Sequence, residues 1–147
     1  MSGIKFISLM TLAILVVGAG AVAAGEEDHA AIEATVRDYV DGWYAGDAAR
    51  MERALHPDLA KRSMRTLPDG TEYLDTASAS NMVAYTTMGF GKGKLPEGYV
   101  NQVIILETTE KMAMAKSVAP EFIDYIHLAK TKQGWKIVNV LWEPVEQ

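Results

Sequence analysis

The chain reads as an α+β domain in which helices come first and an antiparallel sheet follows. Three observations point there. Apolar residues recur at helical spacing from Ile32 to Trp43, a helix–corner–helix pattern runs from Tyr39 to Leu59, and the C-terminal part is a succession of strand-like runs ending in Trp135–Trp142. The order carries no internal repeat and no low-complexity linker.

The first 24 residues stand apart from the fold. Lys5 supplies a positive start, Phe6 to Val17 is an apolar run interrupted only by Ser8 and Thr11, and the small residues from Gly18 to Ala24 suit signal-peptidase cleavage. Both Ala21-Val22-Ala23 and Val22-Ala23-Ala24 satisfy the small-x-small rule. The competing reading is a retained anchor, because the run approaches the roughly 20 residues that span a bilayer. Glycine and alanine at its far end favour cleavage. The expectation is an exported protein, periplasmic or secreted, that meets the membrane only before processing. Residues 25–147 then have the length of a single domain with one core.

Asp28 is placed to cap a helix of about four turns, along which Ile32, Val36, Val40 and Trp43 form one apolar stripe. Gly46 can take the left-handed conformation that ends this helix, Asp47 can cap the next, and Pro57 stops it about two turns later. Met51 and Leu55 face inward from the second helix. Leu59–Leu67 and Thr71–Leu74 read as a hairpin around Pro68, Asp69 and Gly70. A third helix is expected over Asp75–Met88, capped by Asp75 or Thr76, with Ala79, Met82, Val83 and Thr86 at helical spacing. Gly89–Gly98, with four glycines and a proline, is a long loop of the kind that forms lids and pocket rims. Strands follow at Tyr99–Thr108, Lys111–Ala119, Glu121–Lys130 and Trp135–Trp142. Their apolar content on both faces implies that both faces are covered, one by the helices and the other by a second subunit or the short hairpin.

The corner from Tyr39 to Asp47, the run from Ala54 to Leu59 and the closing strand Trp135–Trp142 together resemble the putative lumazine-binding family of the NTF2-like (nuclear-transport-factor-2-like, SnoaL-like) superfamily, over roughly Asp28 to Trp142. The resemblance implies a cone: a curved antiparallel sheet wrapped around N-terminal helices, its open end forming a pocket. It implies that Tyr39 and Trp43 point towards that pocket, that the ligand is a small planar heterocycle or related apolar molecule, and that subunits pair into a homodimer through the outer sheet face.

Composition excludes several classes. Without Lys5 the chain carries 13 basic and 19 acidic residues, a net of −6, which argues against nucleic acid as the partner. No cysteine is present, so disulfides, thiolate metal sites and cysteine nucleophiles are absent together. The three histidines, His29, His56 and His127, lack the spacing of a metal site, and no cofactor is expected. Gly89–Lys94 follows a helix instead of a strand and matches neither phosphate-binding nor dinucleotide spacing. Ser78, Ser80 and Ser117 lack the strand-to-helix elbow of a serine nucleophile.

The pocket candidates are Tyr39, Trp43, His56, Arg62, Tyr85, Asp124, His127 and Asn139. If Lys130 opposes Trp135 across the last turn, His127 opposes Val138 and Asp124 opposes Leu141. Asp124 and Asn139 then meet as diagonal neighbours on an otherwise apolar face, whereas Tyr125 and His127 share the other face with Val140 and Trp142. Polar groups on an apolar face meet each other or a ligand, so Asp124 is either a satisfied structural partner or a carboxylate raised towards general-base use. His56 either caps the second helix or turns to the pocket. Arg50, Arg53, Lys61, Arg62 and Arg65 form a local positive excess, and if Arg53 and Arg62 converge they could hold an anion. Tyr39, Trp43, Tyr44, Tyr73, Tyr85, Tyr99, Tyr125 and Trp142 are available to stack a flat ring or to fill the core. The preferred function is small-molecule binding. The alternative is a cofactor-independent isomerase, dehydratase or cyclase that uses a pocket Asp, His or Tyr.

Overall fold

A computed structural model describes residues 18–145 of the chain. The charged start and apolar run expected to form an export leader, up to Val17, lie outside the described residues. Three helices, α1 (Gly18–Ala45), α2 (Ala48–Ala54) and α3 (Ala79–Thr87), accompany six strands: β1 (Leu55–Thr66), β2 (Glu72–Ala77), β3 (Gln102–Thr108), β4 (Met112–Val118), β5 (Phe122–Thr131) and β6 (Gly134–Pro144). The strands form one curved sheet in the order β2-β1-β6-β5-β4-β3. Every pairing is antiparallel except β1 with β6, which run parallel and bring the early hairpin beside the last strand. The hairpin therefore extends the sheet at its edge and does not cover the outer face, one of the two covers expected from sequence.

The apolar stripe of α1 lies on the inner face of the sheet. Ile32, Val36, Tyr39 and Val40 are buried there against Ala115 of β4, Ile126 and Leu128 of β5, and Ile137 and Val140 of β6. Among the described residues α1 already spans Gly18–Ala45, so Asp28 sits inside the helix and not at its cap. Its carboxylate is used instead to fasten the helix to the last hairpin, accepting from Lys130 Nζ at 2.6 Å and Trp135 Nε1 at 3.1 Å.

The α1–α2 corner follows the expected pattern. Gly46 takes φ 68°, and the Asp47 carboxylate accepts from the Ala49 and Arg50 amides, both at 3.1 Å. Asp38 of α1 locks the corner by accepting from Arg50 Nε at 2.9 Å and Arg53 Nε at 2.7 Å. Burial pulls the Asp38 carboxyl upward, but hydrogen bonds and charge from Arg53 and Arg50 outweigh it and leave it below the ordinary value of 3.8. A lowered folded-state value stabilises the fold above pH 3.8, and this contribution disappears as pH falls through the folded value. Asp38→Asn should therefore flatten the loss of stability below about pH 4. Urea midpoints measured along an acid series that keep the wild-type slope in the variant would refute this.

Several boundaries differ from their sequence positions, among them β1, which begins at Leu55 and not Leu59, and β2, which reaches Ala77 and not Leu74. α3 begins at Ala79, capped by Ser78 in a reciprocal arrangement with Asn81. Asp75 and Thr76, expected as its cap, belong to β2, where Asp75 pairs with Ser63. His56 is the second residue of β1 and its Nδ1 accepts from the Asp58 amide at 3.1 Å, so it does not bond to the last carbonyls of α2.

Candidate functional site

Strand alternation in β1 sends Leu59, Lys61, Ser63 and Arg65 to the inner face and Arg62 and Met64 to the outer one. The same alternation in β5 turns Asp124, Ile126 and Leu128 inward. Lys61 and Asp124 meet over β6, which runs between their strands, at 2.6 Å. Asp124 is fully buried and the Lys61 side chain is 8% exposed.

The carboxylate has three donors. Its Oδ1 accepts from Lys61 Nζ at 2.6 Å and from the Tyr39 hydroxyl at 3.1 Å, and its Oδ2 accepts from the hydroxyl of Ser117, its cross-strand partner, at 3.0 Å. Lys61 Nζ also donates to the Tyr39 oxygen at 2.6 Å. Four elements, α1, β1, β4 and β5, thus meet at one polar knot inside an apolar interior. Desolvation pulls the Lys61 ammonium down in pKa while Asp124 holds it up, and the net direction is downward. Burial and the charge of Asp124 push the Tyr39 phenol well above its ordinary value, so it remains protonated.

In front of the knot lies a cavity of about 330 Å³. Tyr39, Val40 and Trp43 of α1, Met82 and Tyr85 of α3, and Phe122 and Trp142 of the sheet form most of its wall, with Lys61 and Arg65 presented by β1. Lys61 Nζ lies 5.4, 5.7 and 4.8 Å from the ring centres of Tyr39, Phe122 and Trp142, so the ammonium sits in an aromatic cage. Lys94, in the glycine-rich loop, pairs with Glu121 at 3.3 Å, and both residues line the rim. The loop expected as a pocket rim occupies that position: Gly91 lies against the Trp43 indole, whose Nε1 is buried with no hydrogen-bond partner.

Of the residues proposed from sequence, the structure brings Tyr39, Trp43 and Tyr85 to this cavity and sets Asp124 behind Lys61. It places the other four elsewhere. His56 lies in a separate surface depression with Glu52 and Lys136. Arg62, His127 and Asn139 form a cluster on the outer sheet face, with Arg62 Nη1 donating to Asn139 Oδ1 at 2.9 Å and Asn139 Nδ2 lying 3.3 Å from His127 Nδ1. Arg53 and Arg62 do not converge, since Arg53 is bonded to Asp38.

The displacement of Asn139 has one cause. Lys130 does oppose Trp135, and Leu128 opposes Ile137, but β6 bulges at Val138 so that His127 pairs with Asn139 and Asp124 with Trp142. Past the bulge the parity of β6 is inverted. Val140 and Trp142 face inward and Leu141 outward, the reverse of the sequence-based faces.

Lys61 is the residue that sequence reasoning missed. It stands in a run with Arg62 and Arg65, and the run suggests a solvated charge cluster. The signal that separates it is the strand period: Lys61 shares a parity with buried Leu59 and Ser63, not with Arg62. Phe122, stacked on Tyr44 at 5.8 Å and edge-on to Trp142 at 6.1 Å, was also absent from the aromatic set.

Residues 27–143 match the putative lumazine-binding family. The chain belongs to that family. The architecture of this family member is shared with NTF2-like proteins of known structure. One of unknown function from Silicibacter pomeroyi is 18% identical, with a TM-score of 0.62, covering 82% of this chain and 98% of its own. Another of unknown function from Shewanella baltica is 15% identical, with a TM-score of 0.61, covering 83% and 97%. A ketosteroid isomerase-like protein from Erwinia carotovora atroseptica is 16% identical, with a TM-score of 0.54, covering 82% and 98%. At such identities the likeness establishes the NTF2-like fold and nothing finer. No curated protein matches the chain.

Proposed function

We propose that this putative lumazine-binding family member is an exported protein that binds a small planar molecule in its aromatic cavity and works as a homodimer. The observation that carries the binding reading is the cavity itself: aromatic walls from both the helices and the sheet, with one buried ammonium as the polar feature at its floor. Trp43 from α1 and Tyr85 from α3 offer aromatic surface for a flat ring, and the Lys61 ammonium offers a donor to a ring oxygen or nitrogen.

Catalysis by a pocket base finds less support. Asp124 is already held by Lys61, Tyr39 and Ser117, so taking a proton from a substrate would require breaking a buried ion pair. His127, the other candidate base, lies on the opposite face of the sheet. The dimer reading is supported by that opposite face. Met64, Tyr125 and Leu141, 58%, 46% and 53% exposed, line one shallow depression there, and Ile104 and Leu106 are exposed on β3. Export is supported by the leader.

Native mass spectrometry of the full-length chain expressed with its leader tests all three parts. The expected species is twice the mass of a chain processed near Gly25, carrying a small-molecule adduct that is lost on denaturation or that appears on adding lumazine or another flat heterocycle. An unprocessed chain refutes export, a monomer refutes the dimer, and a protein that neither retains nor takes up any such molecule refutes the binding function.

A further inference from the structure

The cavity's charges narrow the chemistry of its ligand, given the reading of the cavity as a binding site. Lys61 and Arg65 both lie against the same ring, with Lys61 Nζ 4.8 Å and the Arg65 guanidinium carbon 4.7 Å from the centre of Trp142. An ammonium has three N–H donors, and two of those on Lys61 are used by Asp124 and Tyr39, which leaves one. Arg65 makes no hydrogen bond or ion pair among the described residues, and its cation–π contact with Trp142 places the fork at the cavity wall.

The carboxylates around the site are disposed differently. Asp124 lies behind Lys61 with all its donors in place, and Glu121 is paired with Lys94. Asp75 is the remaining one, on edge strand β2, where it is exposed and screened by water. A cationic ligand meets a further obstacle: the aromatic faces that would attract it already surround the protein's own ammonium. A carboxylate, by contrast, can accept two parallel bonds from the Arg65 fork, with the Lys61 ammonium adding positive charge to the same cavity.

We infer that the cavity selects planar ligands carrying a carboxylate or an equivalent acidic oxygen, with Arg65 as the residue that determines this selectivity. Neutral rings of the same shape bind more weakly, and cationic ones are rejected.

Titration calorimetry with naphthalene carboxylate, naphthalene carboxamide and naphthylmethylammonium tests this on the wild-type protein and on Arg65→Gln. Arg65 is partly exposed on a strand near the sheet edge, so its replacement leaves the core intact. The expected result is at least a tenfold preference for the carboxylate over the carboxamide, no binding of the ammonium compound, and loss of the preference in Arg65→Gln. Equal affinities for carboxylate and carboxamide, or a preference that survives in Arg65→Gln, overturn the inference while leaving a binding cavity in place. Failure of all three compounds to bind overturns the inference together with the binding function itself.

Discussion

Lys61→Met should destabilise the fold by roughly 3–5 kcal/mol, because it removes the ammonium and leaves the Asp124 carboxylate buried without its counter-ion. The methionine replaces most of the aliphatic stem, so lost packing contributes little of this. The remaining donors, Tyr39 and Ser117, cannot neutralise the charge, although they continue to hydrogen-bond it. A second substitution, Asp124→Leu, should restore most of the loss when combined with Lys61→Met. Replacing both members of a buried pair by apolar groups removes the desolvation cost together with the attraction. Urea unfolding of the two single variants and the double variant forms a closed cycle. A Lys61→Met protein within about 1 kcal/mol of wild type, or a double variant less stable than both singles, contradicts the account of a buried charge pair.

The second large effect is expected at Gly91. A Cβ built there lies 2.3 Å from Trp43 Nε1, 2.4 Å from Cδ1 and 2.7 Å from Cε2, three atoms of one rigid ring. The backbone at Gly91 has no left-handed strain, so the demand for glycine is purely one of space. In Gly91→Ala either the loop lifts from the cavity rim or the indole moves into the cavity, at a cost of about 1–3 kcal/mol for overpacking. Both movements alter the wall that contacts a ligand. The variant should therefore show a shifted tryptophan emission, a lower unfolding midpoint and at least a tenfold weaker affinity for naphthalene carboxylate. Wild-type emission and affinity together in Gly91→Ala would show that the loop does not pack on the indole.

Both effects arise from contacts between segments far apart in the chain, and that distinction separates what was legible from what was not. The stripe Ile32–Val36–Val40–Trp43, the Gly46–Asp47 corner, the hairpin at Pro68–Gly70 and the four later strands were readable because each depends on spacing within a few residues. Local capping was less secure where several polar residues competed: Ser78 won over Asp75 and Thr76 because β2 extends to Ala77. The placement of Asp28 was lost for a similar reason. The helix runs past it, and its carboxylate reaches Lys130 and Trp135, which no nearby residue predicts.

By itself the sequence determined the α+β order, the inward face of α1 and the shared face of Asp124, Ile126 and Leu128, since all of these follow from periods of 3.6 and 2 residues that the covalent chain imposes. Only the tertiary structure decided which groups meet Asp124 and which remain outside. The parallel pairing of β1 with β6 carries Lys61 to it, and the bulge at Val138 sends Asn139 to His127 and Arg62 instead. Strand neighbours and bulges are settled by hydrogen bonds and burial summed over the whole sheet, so no single segment encodes them.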